Sequence, residues 1–386
     1  MLRITAIGAL VISLPLLACH ATPDEPSEPL VPEAAQLDDP SPWIGNEIVE
    51  PLSLPVITYD GSGEMVHPDA LVFPHDWRGN RYWYVATPYP QGDPAFENPS
   101  GYLGNGADDW RPLPGVANPL ARPAELAYLS DPDLSFDPVR DELRLYYRQT
   151  TLKSDEIYLK TSHTGSDWSV PTLVVEDARY GVISPAVVRE QDGSWRMWAV
   201  NAVAGGCKVH ASAVSLTQRR SRDGIKWGAP EAVNLTIPKR VPWHWDVQYI
   251  KSRNEYWALV AAFPDGSDCS RSAVYFARST NGTSWTVSPS PLLAAGVLEP
   301  LRDLVYRSSF RYFSSTDVVT VWFSGAREAL GKFHYSLATA RYPLAELLRR
   351  VDAPYAGDPV HEVRAAGDGR RGRPDVARAA FVEAFP

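Results

Sequence analysis

The sequence predicts an all-β fold, a five-bladed β-propeller built from four-stranded antiparallel blades. The first observation is a turn that recurs along the chain, clearest at residues 221–227 with the sequence SRDGIKW. Its copies end at Trp110, Trp168, Trp227 and Trp285, which are 58, 59 and 58 residues apart. A fixed period of this size indicates a repeat architecture. The second observation is that aromatic and β-branched runs alternate with glycine, proline and polar turns, which is typical of many short strands.

Each repeat is predicted to contain a hairpin, a third strand, the tryptophan turn and a short fourth strand. The first strands begin near residues 66, 130, 183, 243 and 306, and the second strands near 82, 143, 195, 256 and 318. Five such units describe a five-bladed propeller. The last unit has no evident fourth strand after its third. We therefore expect residues 49–57 to supply it and to close the ring with the N-terminal strand.

The two ends of the chain are predicted to lie outside the propeller. Arg3 and the apolar residues 4–17 resemble a secretion signal, and the sequence LLAC ending at Cys19 resembles a bacterial lipoprotein cleavage site. Residues 1–19 are thus interpreted as a lipoprotein signal peptide with Cys19 as the lipidated residue, an ordinary signal peptide being the alternative. Residues 20–48 are predicted to form a disordered tether, 49–350 the propeller, which includes a short helix at 344–350, and 351–386 a flexible tail.

Location and partners follow from these features. We expect a bacterial cell-envelope protein, anchored by lipid on the periplasmic or outer side, or a secreted one. The net charge of -9 argues against a nucleic-acid partner, because nucleic-acid-binding surfaces are basic. The membrane is expected to be contacted through the lipid anchor only, and the protein to be a monomer. In an exported protein the remaining cysteines, Cys207 and Cys269, are predicted to form a disulfide between the equivalent loops of two neighbouring blades, with two unpaired thiols as the alternative.

Polar groups recur where the inner strands begin, at the mouth of the predicted central channel. They are accompanied by the loop after the second strand of blade one, which shares that face. We expect carboxylates, histidines and arginines converging there to perturb one another's pKa values, as acid–base chemistry requires. The predicted catalytic residues are Asp69, Glu97, Asp131 and Asp246, and the predicted substrate-binding residues are His67, Tyr89, Asp133, Trp243, His244, Arg307 and Arg311. His67 and His244 could also coordinate a central ion. The structural alternatives are turn capping for Asp131, strand-end hydrogen bonding for Asp69 and Asp246, a solvated loop position for Glu97 and an interior position for the two histidines. For Trp243 the alternative is core packing, and for Arg307 and Arg311 it is inter-blade ion pairs.

This arrangement resembles glycoside hydrolase family 43 and its furanosidase relatives over roughly residues 67–341. The resemblance implies three acidic residues at inner strand starts: a base in blade one, a tuning aspartate in blade two and an acid in blade three. Asp131, before Pro132, matches the second. In blade one, His67 occupies the position before proline and Asp69 is displaced by two residues. In blade three, Ile183 stands where the acid is expected.

The predicted function is hydrolysis of glycosidic bonds in a poly- or oligosaccharide by carboxylate acid–base catalysis. One alternative is a non-catalytic propeller that binds carbohydrate or protein, which the missing third-blade acid favours. Another is a propeller enzyme that uses His67 or His244 as a base. No metal ligand set with zinc-like spacing, phosphate-binding loop or nucleophile elbow is found in the sequence. We expect no cofactor to be required, with a structural calcium ion in the channel as an open alternative.

Overall fold

The computed structural model describes residues 49–203, 206–296 and 298–352. The predicted signal peptide, the lipidation site Cys19, the tether up to residue 48 and the tail from residue 353 lie outside these ranges. Among the described residues, no helix has the length and apolarity needed to cross a membrane.

Five four-stranded antiparallel sheets form the blades of a propeller, as predicted from the repeat. Blade one contains β2 (Met65–Trp77), β3 (Asn80–Pro88), β4 (Ser100–Gly104) and β5 (Arg111–Pro112); blade two contains β6 (Tyr128–Asp137), β7 (Glu142–Thr150), β8 (Ser154–Ser162) and β9 (Thr172–Ala178); blade three contains β10 (Ile183–Arg189), β11 (Trp195–Asn201), β12 (Ser215–Ser221) and β13 (Glu231–Val233). Blade four contains β14 (Arg240–Ile250), β15 (Glu255–Pro264), β16 (Ala273–Ser279) and β17 (Thr286–Val287), and blade five contains β18 (Leu304–Phe313), β19 (Val318–Ala329) and β20 (Lys332–Pro343).

The N-terminal strand closes the ring. β1 (Val49–Leu54) pairs antiparallel with β20 and becomes the outer strand of blade five, as the sequence analysis expected for residues 49–57. The inner strands β2, β6, β10, β14 and β18 contact one another in turn, and β18 contacts β2. Ring closure therefore joins both ends of the propeller through hydrogen bonds.

Short helical segments complete the described chain. Helix α1 (Leu344–Asp352) extends two residues beyond the predicted helix and buries Leu344, Leu347 and Val351. Single 3₁₀ turns lie in the connections, at Pro90–Gly92, Pro94–Phe96, Gly206–Lys208, Ala211–Ala213, Lys251–Arg253, Cys269–Arg271 and Glu299–Leu301.

The tryptophan turns fasten neighbouring blades to one another. In the turn after β12, Ser221 and Asp223 cap the local amides, and Gly224 has a left-handed φ of 72°. Arg144 Nη1 and Tyr146 Oη, from blade two, donate hydrogen bonds to the carbonyls of Asp223 and Gly224. The turn after β16 is held in the same way by blade three, through Arg196 and Trp198. The repeated turn is therefore a scaffold element on the outer part of the blades.

Candidate functional site

One residue near the start of each inner strand occupies the equivalent position in its blade, and we call this end of the inner strands the mouth of the channel. These residues are His67, Asp131, Ser184, His244 and Arg307, and each lies at a register shift between its inner strand and the second strand of the blade. The first three precede a proline and have φ values of 53°, 50° and 53°, a left-handed conformation that is uncommon for residues other than glycine. Such conformations persist where the surrounding structure enforces them, and they cluster at functional sites.

His67, Asp131 and His244 converge into a buried cluster. Asp131 Oδ1 lies 3.5 Å from His67 Nε2 and 3.2 Å from His244 Nδ1. One ligand atom from each residue lies within 4.8 Å of the other two, and all three side chains are buried. Apart from these contacts with Asp131, His67 Nε2 and the ring nitrogens of His244 make no hydrogen bond to the described residues. Because buried polar atoms are nearly always satisfied in native structures, this arrangement fits a site that binds a metal ion through these atoms.

Two arginines hold Asp131 in its charged form. Arg148 Nε lies 3.1 Å from Asp131 Oδ2, and Arg307 Nη1 lies 3.3 Å from Oδ1. Burial alone would raise the pKa of Asp131, but Arg148 and the two histidines hold it well below its usual value. Arg148 is itself fixed by Asp155, whose Oδ2 lies 3.4 Å from Arg148 Nη1. Asp131 is thus an anionic group with ordered partners on both oxygens.

Glu97 enters the site from the loop after β3. The 3₁₀ turn Pro94–Phe96 begins at Asp93, whose side chain accepts a hydrogen bond from the Ala95 amide. Glu97 follows this turn, and its Oε1 lies 2.9 Å from His67 Nδ1. Burial and the Asp131 carboxylate raise the pKa of Glu97 well above its usual value, although Arg148 and Arg307 oppose the shift. The two carboxyl groups of the site therefore have pKa values displaced in opposite directions.

Three tyrosines, Tyr89, Tyr306 and Tyr335, form an aromatic group beside the two histidines. The Tyr306 ring lies against both imidazoles, with centroids 4.6 Å from His244 and 5.4 Å from His67. Tyr89 packs edge-on against Tyr335, with centroids 4.9 Å apart. Burial, followed by the Glu97 charge, raises the pKa of Tyr89, Tyr306 and Tyr335, so these phenols stay protonated at neutral pH. The predicted site residue Tyr89 therefore lies beside the cluster.

Three predicted site aspartates have structural partners instead. Asp69, Asp133 and Asp246 lie two residues after His67, Asp131 and His244, and each accepts an amide N–H from the inner strand of a neighbouring blade. The donors are Leu134 to Asp69 at 2.5 Å, Val187 to Asp133 at 3.2 Å and Phe310 to Asp246 at 3.1 Å. These contacts fit the alternative of strand-end hydrogen bonding better than the catalytic role predicted for Asp69 and Asp246.

These three carboxylates also interact with one another below the mouth. Burial and the charges of Asp69 and Asp246 raise the pKa of Asp133 well above its usual value. Burial and Asp69 raise the pKa of Asp246 to about 7, against the opposing effects of Arg311 and Arg307. Of the two predicted anion-binding arginines, Arg307 therefore contacts Asp131 at the mouth and Arg311 compensates Asp246 below it.

The remaining predicted features are Trp243, which lies in the hydrophobic core, and the disulfide, which joins two loops. Trp243 is buried in the hydrophobic core around blades three and four, with its ring edge-on to that of His244, so core packing is its principal role. The disulfide between Cys207 and Cys269 is confirmed, and it joins the loop after β11 to the loop after β15. The bridge therefore braces neighbouring loops of blades three and four.

Arg148, Asp155 and Tyr306 are site residues that the sequence patterns did not predict. Tyr306 directly precedes Arg307, and its position at an inner strand start was the available signal. Arg148 lies opposite Ser130 in the register of β6 and β7, one residue from Asp131. Knowledge of that register would have identified it.

The sequence matches no family profile. A curated relative, the A type blood N-acetyl-α-D-galactosamine deacetylase of Flavonifractor plautii, is 27% identical over 317 residues, which are 69% of this chain and 40% of that protein. The chain thus spans less than half the length of this relative.

Solved structures share the propeller fold. The N-acetylgalactosamine deacetylase from F. plautii, in complex with blood group B trisaccharide, superposes with a TM-score of 0.69 at 22% identity, covering 82% of this chain and 96% of that one. A thermostable family-43 glycoside hydrolase gives a TM-score of 0.53 at 12% identity, covering 72% and 88%. The xylan β-1,4-xylosidase of Bacillus halodurans gives 0.53 at 16% identity, covering 72% and 52%. The resemblance in fold to family 43 glycoside hydrolases is therefore confirmed, and the similar proteins act on carbohydrates.

Proposed function

We propose that the protein is a metal-dependent amidohydrolase that removes the acetyl group from an N-acetylated amino sugar of a glycan. The observation that carries the proposal is the buried cluster of His67, Asp131 and His244, in which one ligand atom of each residue lies within 4.8 Å of those of the other two. The similarity to a deacetylase of N-acetylgalactosamine supplies the substrate class. Cleavage of glycosidic bonds is the second candidate, because the opposite pKa shifts of Glu97 and Asp131 are also typical of glycosidase carboxyl pairs.

The donor set fits a divalent transition metal. Two imidazoles and one carboxylate bind catalytic zinc in several hydrolases, leaving a coordination position open. Burial lowers the pKa of both histidines, which keeps their nitrogens neutral and available as ligands. Calcium prefers six to eight oxygen ligands, so this mixed cluster suits it poorly. The alternative in which His67 or His244 acts as a base is also less favourable, because both imidazoles would be metal ligands.

The reaction would use the side chains of the site together with a bound metal ion and a water molecule. A metal ion held there would polarise the amide carbonyl and the attacking water. Glu97, the nearby carboxyl with a raised pKa, takes a proton from the water as its oxygen attacks the carbonyl carbon. When the C–N bond breaks, Glu97 returns that proton to the leaving nitrogen, so that acetate and an amino sugar are formed. Arg148 and Arg307 keep Asp131 ionised throughout.

Blade three supports the deacetylase over the glycosidase. The residue at the level of Asp131 is Ser184, whose Oγ lies 3.3 Å from both the amide nitrogen and the carbonyl oxygen of Trp245. Ile183, where the family resemblance places the acid, is fully buried in the core. The blade-three position therefore carries no carboxyl group toward the channel.

The test separates acetate release from sugar release. The purified protein is incubated with glycans ending in N-acetylgalactosamine or N-acetylglucosamine, and with a panel of chromogenic glycosides. We expect acetate and a free amine without sugar release, loss of activity on chelation and recovery with a divalent metal. Sugar release without acetate would favour the glycosidase, and glycan binding without turnover would favour a binding module.

Variants link this activity to the cluster. Asp131→Asn and His244→Gln are expected to lose bound metal, measured by elemental analysis, and acetate release. His163→Gln is the matched control, because the side chain of His163 is 66% exposed and far from the mouth, in the turn after β8. If the cluster variants keep both metal and activity, the proposed site is wrong.

The cellular location is a separate proposal. We propose that the protein is attached to the cell envelope through lipid on Cys19, as its lipoprotein-like N-terminal sequence suggests. The disulfide between Cys207 and Cys269 supports exposure to an oxidising compartment. Metabolic labelling with a fatty acid should mark the wild type and not the Cys19→Ser variant.

A further inference from the structure

The carboxyl group of Glu97 reaches the histidine cluster from a tight turn, not from a strand. Glu97 has φ −74° and ψ 55°, and the amide of Asn98 donates a hydrogen bond to the carbonyl of Phe96 at 2.7 Å. These values match an inverse γ-turn, in which one hydrogen bond spans the central residue. Residues 91–96 are partly or fully exposed, whereas Glu97 and Asn98 are buried. The position of the Glu97 carboxyl therefore depends on the contacts that hold this turn.

The hydroxyl of Tyr59 contacts the residues on both sides of Glu97. It donates a hydrogen bond to the carbonyl of Phe96 at 2.9 Å and accepts one from Asn98 Nδ2 at 2.8 Å. Asn98 Nδ2 also donates to the carbonyl of Ala95 at 3.2 Å. A phenolic hydroxyl can both donate and accept, and a carbonyl oxygen has two lone pairs, so these bonds are compatible. One oxygen atom of Tyr59 thus joins both ends of the turn.

Tyr59 belongs to the segment 55–64, which connects the ring-closing strand β1 to β2. Glu64, the last residue of this segment, holds the start of the blade-one loop. Its carbonyl accepts a hydrogen bond from the Tyr89 amide at 3.0 Å, and its Oε2 accepts one from the Gln91 amide at 3.0 Å. The segment therefore fixes the loop near both of its ends, and Tyr59 is the contact at the end that carries the γ-turn.

We propose that Tyr59 is a positioning residue whose hydroxyl fixes the γ-turn and thereby holds the Glu97 carboxyl, 2.9 Å from His67 Nδ1, for proton transfer. This inference rests on the proposed deacetylase function, in which Glu97 transfers the proton. The competing role is purely structural, with the Tyr59 ring near the guanidinium of Arg122, whose Cζ lies 6.0 Å from the ring centroid. The two roles differ in what the hydroxyl contributes to turnover, and removal of that one oxygen separates them.

The first experiment compares Tyr59→Phe with Tyr249→Phe in the metal-loaded, full-length protein. Tyr249 is the matched control: it is also half-buried, and its hydroxyl accepts a hydrogen bond from Gln191 Nε2 and donates one to Asn254 Oδ1 at 2.8 Å. It lies near the end of β14, away from the mouth. We expect kcat to fall about 10–100-fold in Tyr59→Phe, because a small displacement of a reacting group costs up to about 100-fold. Tyr249→Phe should keep the wild-type kcat.

The kinetic constants and the metal content identify the step that Tyr59 affects. Glu97 acts in the chemical step, so KM should change less than about threefold in Tyr59→Phe while kcat falls. Metal content, measured by elemental analysis, should equal that of the wild type in both variants. A rise in KM with unchanged kcat would place Tyr59 in substrate binding and overturn the inference.

A double-mutant cycle tests whether Tyr59 acts through Glu97. An N-trifluoroacetyl amino sugar, an activated amide, is the substrate, so that the turnover of Glu97→Gln can be measured. If Tyr59 only positions Glu97, Tyr59→Phe should lower kcat less than about twofold in the Glu97→Gln background, because the two effects are not additive. The same fall in both backgrounds would show that the hydroxyl acts elsewhere, and the inference would be wrong.

Hydrogen–deuterium exchange provides a readout that needs neither metal nor substrate. The peptide that contains the Asn98 amide should exchange about fivefold faster in Tyr59→Phe than in the wild type, because the turn loses two hydrogen bonds. Tyr249→Phe should leave this peptide unchanged. Equal exchange in all three proteins would show that Tyr59 does not hold the turn.

The outcomes also separate this inference from the proposed function. If the wild type releases acetate and Tyr59→Phe keeps its kcat, the Tyr59 inference is wrong and the deacetylase function stands. If the wild type releases no acetate, the deacetylase function is wrong, and with it the role of Tyr59 in proton transfer, even where the exchange data show that Tyr59 holds the turn.

Discussion

Gly224 is the position where the inter-blade role of the tryptophan turn can be tested most directly. It has a φ of 72°, and a Cβ atom placed there would lie 2.4 Å from Arg144 Nη1 and 2.7 Å from Tyr146 Oη. Both atoms belong to blade two and donate to this turn. Gly224→Ala should therefore destabilise the propeller through backbone strain and through displacement of two buried donors.

A control variant separates the two contributions to the loss of stability, which are backbone strain and the displaced hydrogen-bond donors. A non-glycine residue in left-handed conformation costs about 1–2 kcal/mol, and loss of a buried hydrogen bond costs about 1–3 kcal/mol. Gly79 has a φ of 79° with no atom within 4 Å of an added Cβ, so Gly79→Ala isolates the strain. We expect about 1–2 kcal/mol for Gly79→Ala and about 2 kcal/mol more for Gly224→Ala, from the displaced donors.

Denaturant unfolding of both variants measures this difference in the free energy of unfolding. In thermal unfolding, a further 2 kcal/mol corresponds to about 3 °C in Tm for a domain of this size. Tyr146→Phe removes one displaced donor, so Gly224→Ala should cost less in that background. If Gly79→Ala and Gly224→Ala destabilise the protein equally, the turn does not stabilise the contact between neighbouring blades and the reasoning is wrong.

Two further predictions concern stability. Burial alone would raise the pKa of Asp223, but hydrogen bonds from the amides of Lys226 and Ile225 lower it below the usual value of 3.8. The ionised carboxylate therefore stabilises the folded protein above pH 3.8, and this stabilisation is lost as the pH falls through the lowered pKa. Asp223→Asn should keep stability at pH 7, since Asn281 makes the equivalent bonds in blade four, and should flatten the acid limb of a Tm–pH profile; an unchanged limb would contradict this. Deletion of residues 1–54 removes β1 and should abolish cooperative unfolding by circular dichroism, whereas deletion of residues 1–48 should leave it intact; equal melting curves would show that ring closure is dispensable.

The blade count and the location of the site could be predicted because both depend on period. The spacing of Trp110, Trp168, Trp227 and Trp285 identified equivalent strands, and equivalent strand starts must meet around one channel. The loop positions of Cys207 and Cys269 followed from the same alignment, and their bridge is present. These inferences needed only the order of elements, which a repeated sequence records directly.

The roles of individual aspartates could not be predicted, because side-chain direction at the strand starts departs from simple alternation. Period-two reasoning puts His67 and Asp69 on one side of the strand. The register shift between Val66 and Asp69 and the left-handed φ of His67 break that rule. His67 therefore faces the channel mouth, while Asp69 accepts the Leu134 amide of blade two.

Blade three shows the consequence of this geometry most clearly. From sequence alone, its start looked like a site that had lost an acid at Ile183. In the structure, Ser184 has the same left-handed backbone as His67 and Asp131, and its hydroxyl lies against the main chain of Trp245 in blade four. The equivalent position in blade three therefore makes an inter-blade contact, and a carboxyl group reaches the histidine cluster instead from Glu97 in the loop of blade one. Because the equivalent positions of blades one, two and four converge on one point, the residue types at those positions decide whether the propeller offers a donor set that fits a metal ion.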